Sequence, residues 1–201
     1  MCARIARTEL LYDGCYGHVV SRSIRKLKIF RCKDDFERFK KLLLIEKRKT
    51  GLKVFHYCLM HTHFHLIVRI PEVNEFSKAL MRLKSGYAMS FHEKYHLSGA
   101  IWRDRYKVQL IENEGYMLAC GQYVECNPLR AGIVDLPKKW EFSSYRYYQN
   151  KQEDDLVDVC EDLARASTVT KEDLREEDFE RGSIIGSAFF KYQFFDNRRR
   201  G

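Results

Sequence analysis

The sequence predicts an α+β fold, a ferredoxin-like sandwich in which helices cover one face of an antiparallel sheet. Two observations predict this class. Short runs rich in β-branched and aromatic residues alternate with stretches whose apolar residues recur every three or four positions. Their order along the chain is strand, helix, strand, strand, helix, strand, helix, which is typical of the split β-α-β motif.

The first strand is expected within residues 16–23, where two valines follow each other. A helix should follow over residues 33–51, because phenylalanines and leucines form a stripe along one side of that stretch. Asp34 or Asp35 is expected to cap its start, and Gly51 is expected to end it.

Residues 52–60 and 64–70 predict two further strands, the second of which ends at a proline. They should form an antiparallel pair around a turn near residues 61–62. Apolar residues spaced three or four apart then predict a long helix over residues 75–96, with Asn74 as its cap.

Residues 105–112 predict the last strand and residues 113–127 the last helix of the body, which Pro128 ends. We expect one domain over residues 1–149. Residues 150–201 are expected to form an acidic helical extension that ends in a basic tip.

Charge is unevenly spread along the chain. Lys and Arg outnumber Asp and Glu by 27 to 15 in residues 1–150, a net charge of +12, whereas residues 151–201 have 9 against 13, a net of −4. A basic body favours a polyanionic partner, nucleic acid first, although a merely soluble basic protein has the same balance.

Cysteine usage and hydropathy indicate a cytoplasmic protein. The seven cysteines include no CxxC pair, which favours reduced thiols. No apolar run is long enough to span a membrane, and the start of the chain does not resemble a signal peptide. We therefore expect no membrane partner.

Three histidines, His61, His63 and His65, alternate with other residues where the third strand begins. Residues two apart in a strand point to the same face, so His63 and His65 should project side by side. Such a pair can bind a divalent metal, but it can equally be two buried histidines of a core.

The stretch "CLMHTHFHLIV" (58–68) resembles the "MPNHVHLLV" stretch of the REP-associated tyrosine transposases. These are single-tyrosine members of the HUH superfamily, which cut single-stranded DNA. Four further blocks resemble that family in the same order over most of residues 4–149: "HVVSRS" (18–23), "IWRDRYKVQLIE" (101–112), "YVECNPLRAGIV" (123–134) and "WEFSSYRYY" (140–148).

The resemblance implies an HUH endonuclease fold and a tyrosine nucleophile, which matches Tyr123. Attack by its phenolate gives a 5′-phosphotyrosine intermediate and a free 3′-hydroxyl, so the same site can nick and rejoin DNA. The expected partner is single-stranded DNA with hairpin or palindromic elements, bound by a monomer or homodimer located at the nucleoid. Tyr116, seven residues earlier on the same helix, matches a structural tyrosine of the family.

The resemblance also implies a divalent metal, Mg²⁺ or Mn²⁺, held by His63 and His65. Asn127 lies four residues after Tyr123, where related transposases place an amide ligand, so it is the candidate third ligand. Its alternative role is to cap the turn into "PLRAG" (128–132). His61 stands where the family usually has proline, and we expect it outside the metal shell.

Other residues could complete the site. Glu112, Glu114 and Glu125 are alternative oxygen ligands. Trp102 and Tyr106 could stack on bases. The remaining histidines, His18, His56, His92 and His96, have no ligand spacing and are expected to be structural or exposed. Seven basic residues are candidate DNA contacts, with solvated surface charge as the alternative: Arg22, Arg25, Lys26, Arg103, Arg105, Lys107 and Arg130.

Two other functions stay open on the sequence alone. The fold could be retained as a non-catalytic nucleic-acid-binding module. Alternatively, a metal-dependent hydrolase could use an activated water and need no tyrosine nucleophile.

Overall fold

A computed structural model describes residues 11–111 and 114–159, without the side chains of residues 114–116. Its sheet has four antiparallel strands in the order β2-β3-β1-β4. The strands are β1 (Tyr16–Arg22), β2 (Lys53–Met60), β3 (His63–Arg69) and β4 (Lys107–Ile111). The predicted α+β class and the order of the elements are confirmed.

Two long helices, α1 (Lys33–Thr50) and α2 (Val73–Tyr95), pack on one face of the sheet. Phe39 of α1 and Tyr87 of α2 meet each other at a ring separation of 5.4 Å, and Phe39 lies 4.9 Å from Phe64 of β3. All three rings are fully buried. Burial of each side chain of this size stabilises the fold by about 1.5–3 kcal/mol.

The third helix, α3 (Glu114–Glu125), lies against the opposite face of the sheet. Met117, Cys120 and Val124 are buried apolar residues of this helix, and Gly121 directly meets His56 of β2. As predicted, helices α1 and α2 cover one face of the sheet. In addition, α3 covers the other face, which the sequence did not predict. Two short helices follow, α4 (Asn127–Arg130) and α5 (Tyr145–Asn150).

The boundaries agree with the predicted ones within a few residues, and Gly51 ends α1 as predicted, but the N-terminal caps differ. The strands β2 and β3 are joined by the expected turn at residues 61–62. Cys32 is the N-cap of α1, and Asp35 closes that end from inside the helix by accepting the Arg31 and Cys32 N–H groups. The cap of α2 is Glu72, because the helix begins one residue before Asn74.

Residues 151–159 follow α5 as a segment with one turn and no helix, and they pack onto the body. Leu156 is buried, and Asp158 forms a salt bridge with Lys47 at 2.9 Å. The Asp158 carboxylate also accepts the Val54 N–H of β2. The predictions for residues 160–201, including the helical extension and its basic tip, lie outside the described residues.

Two expectations about the chain as a whole can be compared with the described part. The cysteines at positions 15, 32, 58, 120 and 126 form no disulfide with one another. Across residues 11–111 and 114–159, no helix combines the length and the apolar character that crossing a membrane requires.

Candidate active site

Strand pairing brings the two family histidines to one point of the sheet. In the register between β1 and β3, Arg22 lies opposite His63 and Val20 lies opposite His65. Since paired residues share a face, His63, His65 and Arg22 project from the same side of the sheet. We call this side, against which α3 packs, the histidine face.

A third imidazole joins the pair. His18 of β1 lies with its Nε2 atom 2.9 Å from Nδ1 of His65, and the two rings are stacked. His63 has its Nδ1 atom 2.9 Å from the Thr62 hydroxyl. Both family histidines therefore use Nδ1 in a hydrogen bond, which fixes their ring orientation and leaves Nε2 as the atom for a metal.

The ring centroids of His63 and His65 are 5.1 Å apart, which is compatible with both rings coordinating one ion. Within the described residues, no group of three or more His, Cys, Asp or Glu side chains is arranged to hold a metal. His63 and His65 fit a metal held by two imidazoles, which would leave positions open to an amide, water or phosphate oxygen.

Burial keeps these imidazoles neutral. Burial and, to a smaller extent, the nearby Arg22 guanidinium lower the pKa of His63 to about 4. The pKa of His65 is well below its usual value, first through burial and then through His18, His63 and Arg22. Burial also lowers the pKa of His18 to about 4. A neutral imidazole is the form that binds a metal.

Helix α3 places Tyr123 beside these rings. The ring of Tyr123 meets those of His18 and His65 edge-on, each at a centroid separation of 6.3 Å. The guanidinium carbon of Arg130 lies 4.7 Å from the centre of the Tyr123 ring. The candidate nucleophile, the histidine pair and a candidate DNA contact thus lie next to one another.

Asn127 follows directly on this helix. Its amide nitrogen donates to the carbonyls of Tyr123 and Val124 at 2.9 and 3.2 Å, so the side chain ties α4 to the end of α3. These bonds cap the end of α3, whereas the alternative role suggested by the sequence was to cap the turn that follows into "PLRAG". They leave the amide oxygen as the atom that would serve as a ligand, and the ligand role stays a prediction.

His61 has a structural environment. Its Nδ1 atom lies 2.7 Å from the Phe30 carbonyl, and its ring packs edge-on against Phe36 and Trp140. These contacts support the expectation that His61 is outside the metal shell. Glu125 is also engaged elsewhere, because its carboxylate meets His56 and Ser144.

Most of the predicted DNA contacts gather at the end of the sheet that carries His63. The backbone N–H of Arg103 donates to the Arg22 carbonyl, the Arg105 carbonyl accepts the Ser21 hydroxyl, and Lys107 lies opposite Val20. Arg25 and Lys26 form a 3₁₀ turn directly after β1. Single-stranded nucleic acid is bound by such basic surfaces through its phosphates.

The two aromatic candidates for base stacking, Trp102 and Tyr106, form hydrogen bonds with residues of α2 instead. The indole N–H of Trp102 donates to the Lys84 carbonyl, and its ring lies 5.8 Å from that of Phe64. The Tyr106 hydroxyl meets Ser77 at 2.9 Å. These contacts favour packing as their role.

The sequence did not predict His18 as part of the site, but the structure places it in contact with His65. It begins the block "HVVSRS", which was the available signal. Its partner His65 lies 47 residues later, so no local spacing could connect the two.

The sequence model of the family described as "Transposase IS200 like" matches residues 11–127, more than half of the chain. The chain belongs to the IS200-like transposase family. The matched range includes the histidine pair, Tyr123 and Asn127.

Two similar proteins are named as members of a narrower group, the REP-associated tyrosine transposases. A Haemophilus influenzae protein provisionally named as a REP-associated tyrosine transposase is 26% identical over an alignment of 99 residues, and the match covers 44% of this chain and 56% of the relative. The chain thus spans little more than half of that curated relative. A solved structure of a REP-associated tyrosine transposase bound to a REP hairpin superposes with a TM-score of 0.58 at 18% identity, covering 74% of this chain and 88% of the other. This likeness shows a shared fold.

Proposed function

We propose that this protein is a metal-dependent endonuclease and strand transferase for single-stranded DNA. It nicks and rejoins DNA beside hairpins through a 5′-phosphotyrosine intermediate. The observation that carries the proposal is the meeting of Tyr123, His65 and His63 on one face of the sheet, beside a basic surface. The family membership supports the same chemistry.

The covalent step uses Tyr123. Its phenolate oxygen attacks the scissile phosphorus, a new P–O bond forms to the tyrosine, and the bond from phosphorus to the 3′ oxygen breaks. The departing oxygen takes up a proton and becomes a 3′-hydroxyl. Because one phosphoester replaces another, the reverse attack by a 3′-hydroxyl rejoins the strand without ATP.

The protein groups position the reacting phosphate. Nε2 of His63, Nε2 of His65 and the Asn127 amide oxygen are the proposed ligands of Mg²⁺ or Mn²⁺. When bound, the metal polarises the phosphate and offsets the charge that develops on its oxygens. Arg22 beside His63 and Arg130 beside Tyr123 can hold the flanking phosphates in line for attack.

The proposed substrate is a single strand that folds into a hairpin. A protein of the same fold is described as bound to a REP hairpin, and we extend that partner to this chain. Arg103, Arg105 and Lys107 form, with Arg22, a basic surface at the end of the sheet where such a strand could enter the site.

Trapping a covalent adduct tests the proposal. Purified protein is mixed with end-labelled hairpin DNAs carrying single-stranded flanks and with Mn²⁺, and the products are separated under denaturing conditions. We expect one DNA fragment to be linked to the protein through its 5′ phosphate. The other fragment should end in a free 3′-hydroxyl. Binding without cutting would favour the non-catalytic module, and cutting without an adduct would favour the water-using hydrolase.

His18 is predicted to orient His65 for metal binding through the hydrogen bond between their rings. Replacement of His18 with alanine should lower Mn²⁺ affinity and the cleavage rate by about 10- to 100-fold, because the hydrogen bond that orients His65 is lost. His18→Gln should recover part of the loss. Calorimetric Mn²⁺ titration and single-turnover cleavage measure both effects. His92→Ala, on α2 away from the histidine face, is the control, and equal Mn²⁺ affinity of His18→Ala and wild type would contradict the prediction.

A further inference from the structure

Glu125, two residues after Tyr123, is part of a buried polar network. One carboxylate oxygen, Oε1, accepts the Ser144 hydroxyl at 2.6 Å and lies 2.9 Å from Nδ1 of His56. The three residues are 5%, 0% and 6% exposed, respectively, so the network is closed to solvent. A buried hydrogen-bonded carboxylate of this kind holds its partners in one geometry.

The far end of the network is fixed to the sheet. Ser144 pairs with β2 through two bonds, one from its N–H to the Tyr57 carbonyl and one from the Tyr57 N–H to its hydroxyl oxygen, both 3.0 Å long. The Leu59 N–H donates to the Phe142 carbonyl nearby. The block "WEFSSYRYY", which had no role in the chemistry, thus extends the edge of the sheet.

The ring of His56 also sets how closely α3 approaches the sheet. Tyr148 stacks on this ring at 4.5 Å. Gly121 of α3 lies directly against it, and a Cβ atom at Gly121 would be 2.5 Å from the ring atoms Cε1 and Nε2. The helix can therefore lie this close only because position 121 has no side chain.

The network is not what packing for stability alone would favour. Nε2 of His56 is buried and has no hydrogen-bond partner among the described residues. An unsatisfied polar atom of this kind costs about 1–3 kcal/mol, and hydrogen-bonded polar groups in a core are often no more stabilising than apolar groups of the same shape. Retention of such groups fits a role in fixing one orientation of the helix.

Helix geometry connects Glu125 to the nucleophile. At 3.6 residues per turn, Tyr123 and Glu125 project from opposite flanks of α3, on either side of the fully buried Val124. A bond that fixes the Glu125 flank therefore fixes the rotation of the Tyr123 flank. A tyrosine hydroxyl stands several ångström from the helix axis, so a rotation of about 10° moves it by on the order of 1 Å.

We propose that Glu125, His56 and Ser144 are a positioning anchor that sets the rotation of α3 and thereby the aim of Tyr123. Glu125 acts through the helix and is not a metal ligand. The proposal rests on the proposed function of Tyr123 as nucleophile. A displacement of about 1 Å at a reacting group can cost on the order of 10²-fold in rate, which sets the size of the expected effect.

The test compares two substitutions at Glu125 with a matched control. Glu125→Ala breaks both bonds, and we expect single-turnover cleavage to fall by on the order of 10²-fold while DNA affinity changes by less than about 3-fold. Glu125→Gln keeps an oxygen that accepts both bonds, so it should stay within about 5-fold of the wild-type rate. Failure of glutamine to restore the rate, or an undiminished rate in the alanine variant, overturns the proposal.

Glu46 provides the control. Its carboxylate is as buried as that of Glu125 and bonds to Arg82 at 2.8 Å, but it joins α1 to α2 on the opposite face of the sheet. Glu46→Ala should therefore destabilise the fold and leave the cleavage rate of the folded protein unchanged. An equal loss of cleavage rate in Glu125→Ala and Glu46→Ala would mean that Glu125 only stabilises the fold, and it would overturn the proposal.

A second measurement separates this proposal from the proposed function. Fluorotyrosine is introduced at position 123 of the full chain, and its ¹⁹F resonance is recorded without DNA. We expect Glu125→Ala to shift or broaden this resonance, and Glu46→Ala to leave it in place. If wild type forms no DNA adduct, the proposed function fails, whereas an unmoved resonance in Glu125→Ala overturns the anchor itself.

Discussion

Tyr123→Phe is expected to abolish the covalent DNA adduct and to lower the nicking rate by on the order of 10⁴-fold or more. The substitution removes one oxygen atom, the proposed nucleophile. It keeps the aromatic ring that meets His18 and His65 and underlies the Arg130 guanidinium. The variant should therefore fold, bind the metal and bind hairpin DNA nearly as wild type does.

The measurement is single-turnover cleavage of an end-labelled hairpin with Mn²⁺, together with DNA affinity. Tyr116→Phe is the matched control, because Tyr116 precedes Tyr123 by two helical turns on the same helix and is predicted to be structural. Normal cutting by Tyr123→Phe without an adduct would replace the tyrosine mechanism with attack by water. Loss of the adduct in Tyr116→Phe alone would move the nucleophile to that position.

The sequence predicted the elements of the fold well because each has a local pattern. The apolar stripes of α1 and α2 and the glycine that ends α1 are local signals of this kind. The position of α3 on the second face of the sheet was not predicted. The near-continuous apolar runs in β2 and β3 indicate it, because their residues are buried on both faces of the sheet.

The candidate site could be predicted only as far as the resemblance reached. The histidine pair, Tyr123 and Asn127 come from motif matches. By contrast, the contacts of His18 with His65 and of Arg22 with His63 follow from the register between β1 and β3. Register depends on the packing of the whole sheet, so no stretch of sequence contains it. The caps at Cys32 and Glu72 were missed because several polar residues compete near each helix start.

His63→Ala is expected to remove the metal dependence of cleavage and to lower the rate by on the order of 10³-fold. Of the two paired histidines, His63 is the better test, because it is partly exposed whereas His65 is buried against His18. Its loss should leave the core intact. Arg22, Arg103 and Lys107 remain, so DNA affinity should change by no more than a few-fold.

His61→Ala is the matched control for the metal site, since it removes a neighbouring imidazole on the same turn. His61 bonds to the Phe30 carbonyl and packs against Trp140, so its loss should lower the melting temperature. Cleavage by the folded variant should saturate at the same Mn²⁺ concentration as wild type. An unchanged Mn²⁺ requirement in His63→Ala would remove that residue from the metal shell, and a raised requirement in His61→Ala would place His61 within it. The two variants together therefore test whether His63, His61 or both belong to the proposed metal shell.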